Sequence, residues 1–145
     1  MPLVTQAHSM AGIDGLTGWL GVVLDSPDPP ALARFYQQLL GWEILSSSPT
    51  WVEMLMGDPQ GPGTSSNLAF PLEPEYERSN WPGRAGREQM QFHLDLGVVD
   101  VAAAVDKALA IGATSTDHQR QEDVRVLLHP YGHLFCLYKD TPPLN

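Results

Sequence analysis

The sequence predicts an α+β fold built from two copies of one unit, in which a strand is followed by a helix and three further strands. Alternating strand patterns and three- and four-residue helical spacing recur in the same order in each half. Turn and cap residues also recur, at a period that is too long for a solenoid and that indicates a duplicated supersecondary unit. Three pairs lie 71 residues apart and a fourth lies 72 apart: Gly41 and Gly112, Pro59 and Pro130, Gly61 and Gly132, and Asp28 and Asp100.

The first unit, module one, is predicted from strand and helix punctuation. A strand at 19–25 is followed by Asp28, which is a good helix N-cap, and by prolines that suit a first helical turn. The predicted helix, 30–40, carries Leu32, Phe35 and Leu39 on one face, and Gly41 ends it in a left-handed cap. The remaining elements are strands at 42–45, 50–56 and 67–72, with a turn at 58–61.

The second unit, module two, opens with a strand at 91–98. Its period of two places Phe92, Leu94, Leu96 and Val98 on one face and His93, Asp95 and Gly97 on the other. Asp100 caps a helix at 101–111, with Val101, Val105 and Leu109 on one face and Gly112 at its end. The remaining elements are strands at 114–116, 124–128 and 134–139, with a turn at 129–132, where we expect His129 and His133 at the surface.

Composition limits the function classes. The net charge of −9 leaves no basic stripe, so we expect neither a nucleic-acid partner nor an anionic membrane surface. A single cysteine, Cys136, excludes an internal disulfide and favours the cytoplasm. We expect no signal peptide, and no apolar run approaches the ~20 residues of a membrane span.

The expected domain spans 16–140, between a flexible arm at 1–15 and a tail at 141–145. A polar segment without periodicity joins the modules, and it contains Trp81, which we expect to pack locally, with a ligand lid as the alternative. The expected boundaries are 16–72 for module one, 73–89 for the connection and 90–140 for module two.

Three segments carry a resemblance to a known family. The run from Asp28 to Glu43 (DPPALARFYQQLLGWE), together with HLDL at 93–96 and PYGHLFCL at 130–137, resembles the vicinal oxygen chelate superfamily. This superfamily includes glyoxalase I, bleomycin-resistance proteins and extradiol dioxygenases. The motifs at 93–96 and 130–137 most resemble its small glyoxalase-like branch. The resemblance implies curved sheets around a ligand cup, helices outside, and a homodimer.

In metal-dependent members, the resemblance implies ligands on the first and last strands of each module. The matching positions are His93 and Cys136 in module two, Gly21 or Gly18 on the first strand of module one, and about Ala69 on its last strand. Because a divalent ion needs three or four protein ligands, we expect no metal and no cofactor.

His93 and Asp95 are the candidate catalytic residues, because they share a strand face and can exchange protons. The plainer alternatives are a histidine held by a neighbour and a carboxylate that orients it or meets solvent. We expect Cys136 to be a small buried thiol without nucleophilic activity. Trp19 and Trp51 are expected in the wall because aromatic side chains suit flat apolar ligands. With residues on the same strand faces and the candidate positions of module two, the expected ligand-binding set is Trp19, Gly21, Trp51, Glu53, His93 and Cys136.

Three functions remain open. The first is metal-independent binding of a small apolar or aromatic molecule, as in bleomycin-resistance proteins. The second is a lyase or isomerase that uses His93 and Asp95 for proton transfer. The third is a divalent-metal glyoxalase or dioxygenase.

Overall fold

The structure is a computed structural model, and it describes residues 12–57 and 66–141. The predicted turn at 58–61, most of the arm and most of the tail lie outside the described residues. Two four-stranded sheets and two helices make up the described part, which confirms the α+β class and the duplication. Neither helix described has the length and apolarity needed to cross a bilayer.

Module one forms the first sheet. Its elements are β1 (Leu20–Val23), α1 (Pro29–Leu40), β2 (Ile44–Ser47), β3 (Trp51–Leu55) and β4 (Ser66–Pro71). The strand order is β1-β4-β3-β2, with β1 parallel to β4 and the other pairs antiparallel. The Asp28 carboxylate accepts a hydrogen bond from the Ala31 N–H at 3.1 Å, and Gly41 adopts φ 72°, as the predicted caps require.

Module two repeats this arrangement in the second sheet. Its elements are β5 (Leu94–Val98), α2 (Val101–Ala110), β6 (Thr114–Ser115), β7 (Val124–Leu128) and β8 (Leu134–Lys139). The order β5-β8-β7-β6 again places the first strand parallel to the last. The Asp100 carboxylate accepts from the Ala103 N–H at 3.0 Å, so both helices begin with the same cap.

Strand register makes the two modules comparable residue by residue. Asp95 and Val23 each lie five residues before their helix cap, and they pair with Cys136 and Ala69 respectively. The parallel strand pairing therefore supports counting equivalent positions back from the capping aspartate of each helix. The equivalent pairs are Gly21 and His93, Val23 and Asp95, and Ala69 and Cys136.

Helix α1 joins the two modules through aromatic side chains. Phe35 lies 5.9 Å from Phe135 of β8, and Tyr36 stacks on Phe70 of β4 at 5.9 Å between ring centroids. All four rings are buried. The core is therefore shared by both sheets, and Tyr36, which lies outside the predicted apolar stripe, belongs to it.

Two residues of the predicted apolar faces are exposed, Phe92 and Leu109. Phe92 is 86 % exposed because β5 begins only at Leu94, so the alternation that places Phe92 inward does not extend to it. Leu109 is 41 % exposed, whereas Ala108 is fully buried. The small alanine side chain allows close approach to the sheet, so α2 turns this face inward.

The surface prediction is wrong for His129 and holds in part for His133, which is half-buried. His129 is only 3 % exposed, and its Nδ1 accepts the Tyr131 N–H at 3.0 Å, which caps the tight turn. His133 is half-buried between Ser79 Oγ at 3.0 Å and the Phe92 carbonyl at 2.7 Å. The connection and α1 cover this turn, and contacts so distant in sequence leave no trace in a local pattern.

Candidate functional site

A cavity of about 410 Å³ lies on the face of the module-two sheet that α2 does not cover. We call it the module-two cavity. Residues such as Leu96, Leu127 and Phe135 point from the same strands into the core, so strand alternation turns their neighbours toward the cavity. Its wall consists of Trp81, Met90, His93, Asp95, Arg120, Gln121, Val124, Val126, Leu134, Cys136 and Tyr138.

Three predicted site residues meet in this cavity. His93 Nε2 lies 3.1 Å from Asp95 Oδ1, and donor atoms of His93, Asp95 and Cys136 all lie within 4.8 Å of one another. His93 leads into β5, Asp95 lies on it, and β8 places Cys136 directly beside Asp95. Within the described residues, His93 Nδ1 has no hydrogen-bond partner, and the contact of Nε2 with Asp95 is the polar contact of this side chain.

The Cys136 thiol is 6 % exposed, as predicted for a small buried thiol. Burial, followed by the negative charge and hydrogen bonding of Asp95, raises its pKa to about 11. The thiol is therefore protonated at neutral pH, and it lacks the thiolate character that nucleophilic catalysis needs.

The donor set does not match the metal shell that the resemblance implies. His93, Asp95 and Cys136 all come from module two, and their module-one counterparts Gly21 and Ala69 carry no donor atom. The thiol would also have to lose a proton against its raised pKa before it could bind an ion. These residues therefore do not supply the two-module ligand set.

The rim of the cavity joins the connection to the segment before β7. The Trp81 indole N–H donates to the His118 carbonyl at 3.0 Å. Arg120 lies 4.8 Å from the centre of the Trp81 ring, and its Nε lies 3.4 Å from His118 Nε2. Trp81 is thus part of the cavity wall, and Arg120 is a site residue that the sequence did not reveal, because a loop arginine has no distinctive spacing.

The other predicted ligand-binding residues lie on the module-one sheet and do not line this cavity. The Trp19 ring covers Gly21, where an added Cβ would lie 2.6 Å from Trp19 Cη2. The Trp51 indole N–H donates to Glu53 Oε1 at 3.2 Å on the same sheet face. Trp19 is 57 % exposed and Trp51 is 42 % exposed. The chain therefore presents an aromatic face on the module-one sheet that is separate from the module-two cavity.

A second, more polar cavity of about 900 Å³ lies between the end of β1 and the connection. It contains none of the predicted site residues. Its carboxylates are Asp25, Glu73, Glu75, Glu77 and Glu88. The candidate site is therefore the smaller cavity, where the predicted polar residues converge on an apolar wall.

Comparison with known proteins gives a family match and fold neighbours. Residues 21–138 match the glyoxalase-like domain. No curated protein matches the chain. A glyoxalase/bleomycin resistance protein/dioxygenase family enzyme from Burkholderia phytofirmans superimposes with a TM-score of 0.61 and 23 % identity, over 82 % of this chain and 95 % of that one.

Two further solved structures share the fold. A bleomycin resistance determinant encoded on the transposon Tn5 has a TM-score of 0.55 and 21 % identity, over 87 % of this chain and 100 % of its own. A bleomycin-binding protein complexed with bleomycin has a TM-score of 0.50 and 19 % identity, over 86 % and 100 %. At these identities the likeness concerns the fold.

Proposed function

Because this chain belongs to the glyoxalase-like domain family, we propose that it binds a small apolar or aromatic organic molecule in the module-two cavity, without a metal. One observation carries the proposal: a polar cluster of His93, Asp95 and Cys136 converges on a wall of apolar side chains. Binding pockets for small molecules combine such a wall with a few placed polar groups. The fold neighbour that is named as bleomycin-binding supports sequestration of an intact molecule.

Tryptophan fluorescence tests binding directly, because Trp81 lies in the cavity wall. A bound aromatic ligand should quench it, and the molecule should be recovered unchanged. Trp81→Phe should remove this quenching, whereas Trp42→Phe, a change in the partly buried core, should keep it. Quenching that survives in Trp81→Phe and disappears in Trp42→Phe would place the ligand elsewhere.

Metal independence has its own test. The donor-free residues Gly21 and Ala69 support it. Titration with zinc, nickel, cobalt, manganese or iron(II) should show no stoichiometric binding and no change in ligand affinity. Tight one-to-one binding that disappears in His93→Ala would contradict metal independence and favour the divalent-metal glyoxalase or dioxygenase alternative.

The second candidate function is a lyase or isomerase reaction on a carbonyl or enol. The contact between His93 Nε2 and Asp95 Oδ1 favours it, because the carboxylate holds the ring while Nδ1 remains open to a ligand. In that case a bound ligand is converted, and His93→Ala lowers turnover while binding is largely retained. A ligand that is bound and released unchanged by the unmodified protein argues for sequestration.

We also propose that the protein is a cytoplasmic homodimer in which a second copy covers the exposed face of the module-one sheet. Trp19 and Val23 on this face are 57 % and 54 % exposed, which is unusual for large apolar side chains on one sheet. Light scattering should give twice the chain mass, and Val23→Lys should give a monomer. Val99→Lys, at a 67 % exposed position elsewhere, should remain dimeric. A monomeric unmodified protein would contradict the homodimer.

A further inference from the structure

We propose that the ligand of the module-two cavity carries an anionic group, a carboxylate or a similar planar anion, and that Arg120 binds it. This inference rests on the proposed function and specifies its ligand class. It follows from three features of the cavity: which charges are already paired, how the guanidinium is held, and where the apolar surface lies.

The charges that face the cavity are not paired equally. The Asp95 carboxylate contacts His93 at 3.1 Å and has the Cys136 thiol beside it. In the part of the chain that the structure describes, the Arg120 side chain has a single polar contact, from Nε to His118 Nε2 at 3.4 Å. Among residues 12–57 and 66–141, no carboxylate forms an ion pair with Arg120. The Asp95 carboxylate therefore has two polar neighbours in the wall, whereas the Arg120 guanidinium has one and no carboxylate.

The Arg120 guanidinium is exposed, but it already has contacts in the cavity wall before any ligand arrives. It lies over the Trp81 ring at 4.8 Å, and the Trp81 N–H is fixed by the His118 carbonyl at 3.0 Å. Because the contact with His118 uses only Nε, the two terminal NH₂ groups remain for a ligand. Paired N–H groups of a guanidinium match the two oxygens of a carboxylate, and prior ordering lowers the entropy lost on binding.

The rest of the wall defines the body of the ligand. Met90, Val124, Val126 and Leu134 form its apolar part. An anionic group at Arg120 therefore lets an apolar or aromatic body cover these side chains. A neutral ligand would leave the guanidinium without a charged partner, and a cationic group placed at Arg120 would be repelled by it.

Three matched probes test the charge preference: 2-naphthoate, its neutral analogue 2-naphthamide, and the cationic 2-naphthylmethylammonium. Calorimetric titration of the full chain should show naphthoate binding at least about tenfold more tightly than naphthamide, a difference of ~1.4 kcal/mol. Naphthylmethylammonium should bind most weakly. Arg120→Gln should make acid and amide equal by weakening only the acid, and Arg120→Lys should keep part of the preference.

Arg87→Gln provides the control, since Arg87 is an exposed arginine of the connection that does not line the cavity. It should leave all three affinities unchanged, and circular dichroism should show each variant folded. Equal binding of acid and amide to the unmodified protein would overturn the anion proposal but leave the proposed function standing. An equal loss of both in Arg120→Gln, or tighter binding of the amine, would also overturn it. If none of the probes binds, the proposed function and this inference both fail.

Discussion

Burial of His129 predicts that stability falls at mildly acidic pH. Its side chain is 3 % exposed and packs edge-on against Tyr36, with ring centroids 6.1 Å apart. Burial and the neighbouring His133 lower its pKa from 6.5 to about 3. The unfolded chain thus takes up a proton below pH ~6.5, whereas the folded chain stays neutral at this site until about pH 3. The stabilisation is complete above pH ~6.5 and is lost as the pH falls.

The size of the effect follows from these two values. At ~1.36 kcal/mol per pH unit, the free energy of unfolding should fall by about 2.5 kcal/mol between pH 7 and pH 4.5 because of His129 alone. His129→Asn removes the titrating ring but keeps an oxygen that can accept the Tyr131 N–H in an Asx turn. The variant should be less stable at pH 7, and its stability should decline less steeply with acid.

Urea unfolding followed by tryptophan fluorescence measures both proteins at each pH. Other titrating groups cancel when the free energies of unfolding of the two proteins are subtracted. The difference in free energy of unfolding should therefore shrink by about 2.5 kcal/mol from pH 7 to pH 4.5. His118→Asn, a loop change that retains His129, should keep the full decline. Parallel curves for the unmodified protein and His129→Asn would refute the argument that a neutral buried ring causes the loss.

Three further results are expected. Asp95→Asn should lower the pKa of Cys136 from about 11, yet leave it above the ordinary value because burial is the larger cause. The rate of thiol alkylation measured against pH reports this pKa, and an unchanged profile would contradict the prediction. Phe135→Ala should cost ~3–5 kcal/mol in urea unfolding, since the ring is fully buried, and a loss below ~1 kcal/mol would show that it is dispensable. Asp100→Ala should cost about 1 kcal/mol by leaving the Ala103 N–H without its acceptor, and equal unfolding midpoints would contradict this.

Local chemistry made the elements predictable. Asp28 and Asp100 mark helix starts because a short carboxylate satisfies a free N–H, and Gly41 marks an end because it tolerates positive φ. Alternation placed His93 and Asp95 on one side of a strand, and they are 3.1 Å apart. Where the pattern was followed too far, at Phe92, the strand had not yet begun.

The sequence by itself determined the duplicated fold, its family resemblance and the residues that occupy the equivalent positions of each module. Tertiary structure alone decided that the connection and the segment before β7 bring Trp81 and Arg120 together at the rim of the module-two cavity. It likewise decided that α1 and the connection bury His129. It also decided that the Trp19 and Trp51 face lies apart from His93 and Cys136. The physical reason is distance along the chain: caps and alternation depend on neighbours a few residues away, whereas these contacts join residues 37 or more positions apart, such as Trp81 and His118.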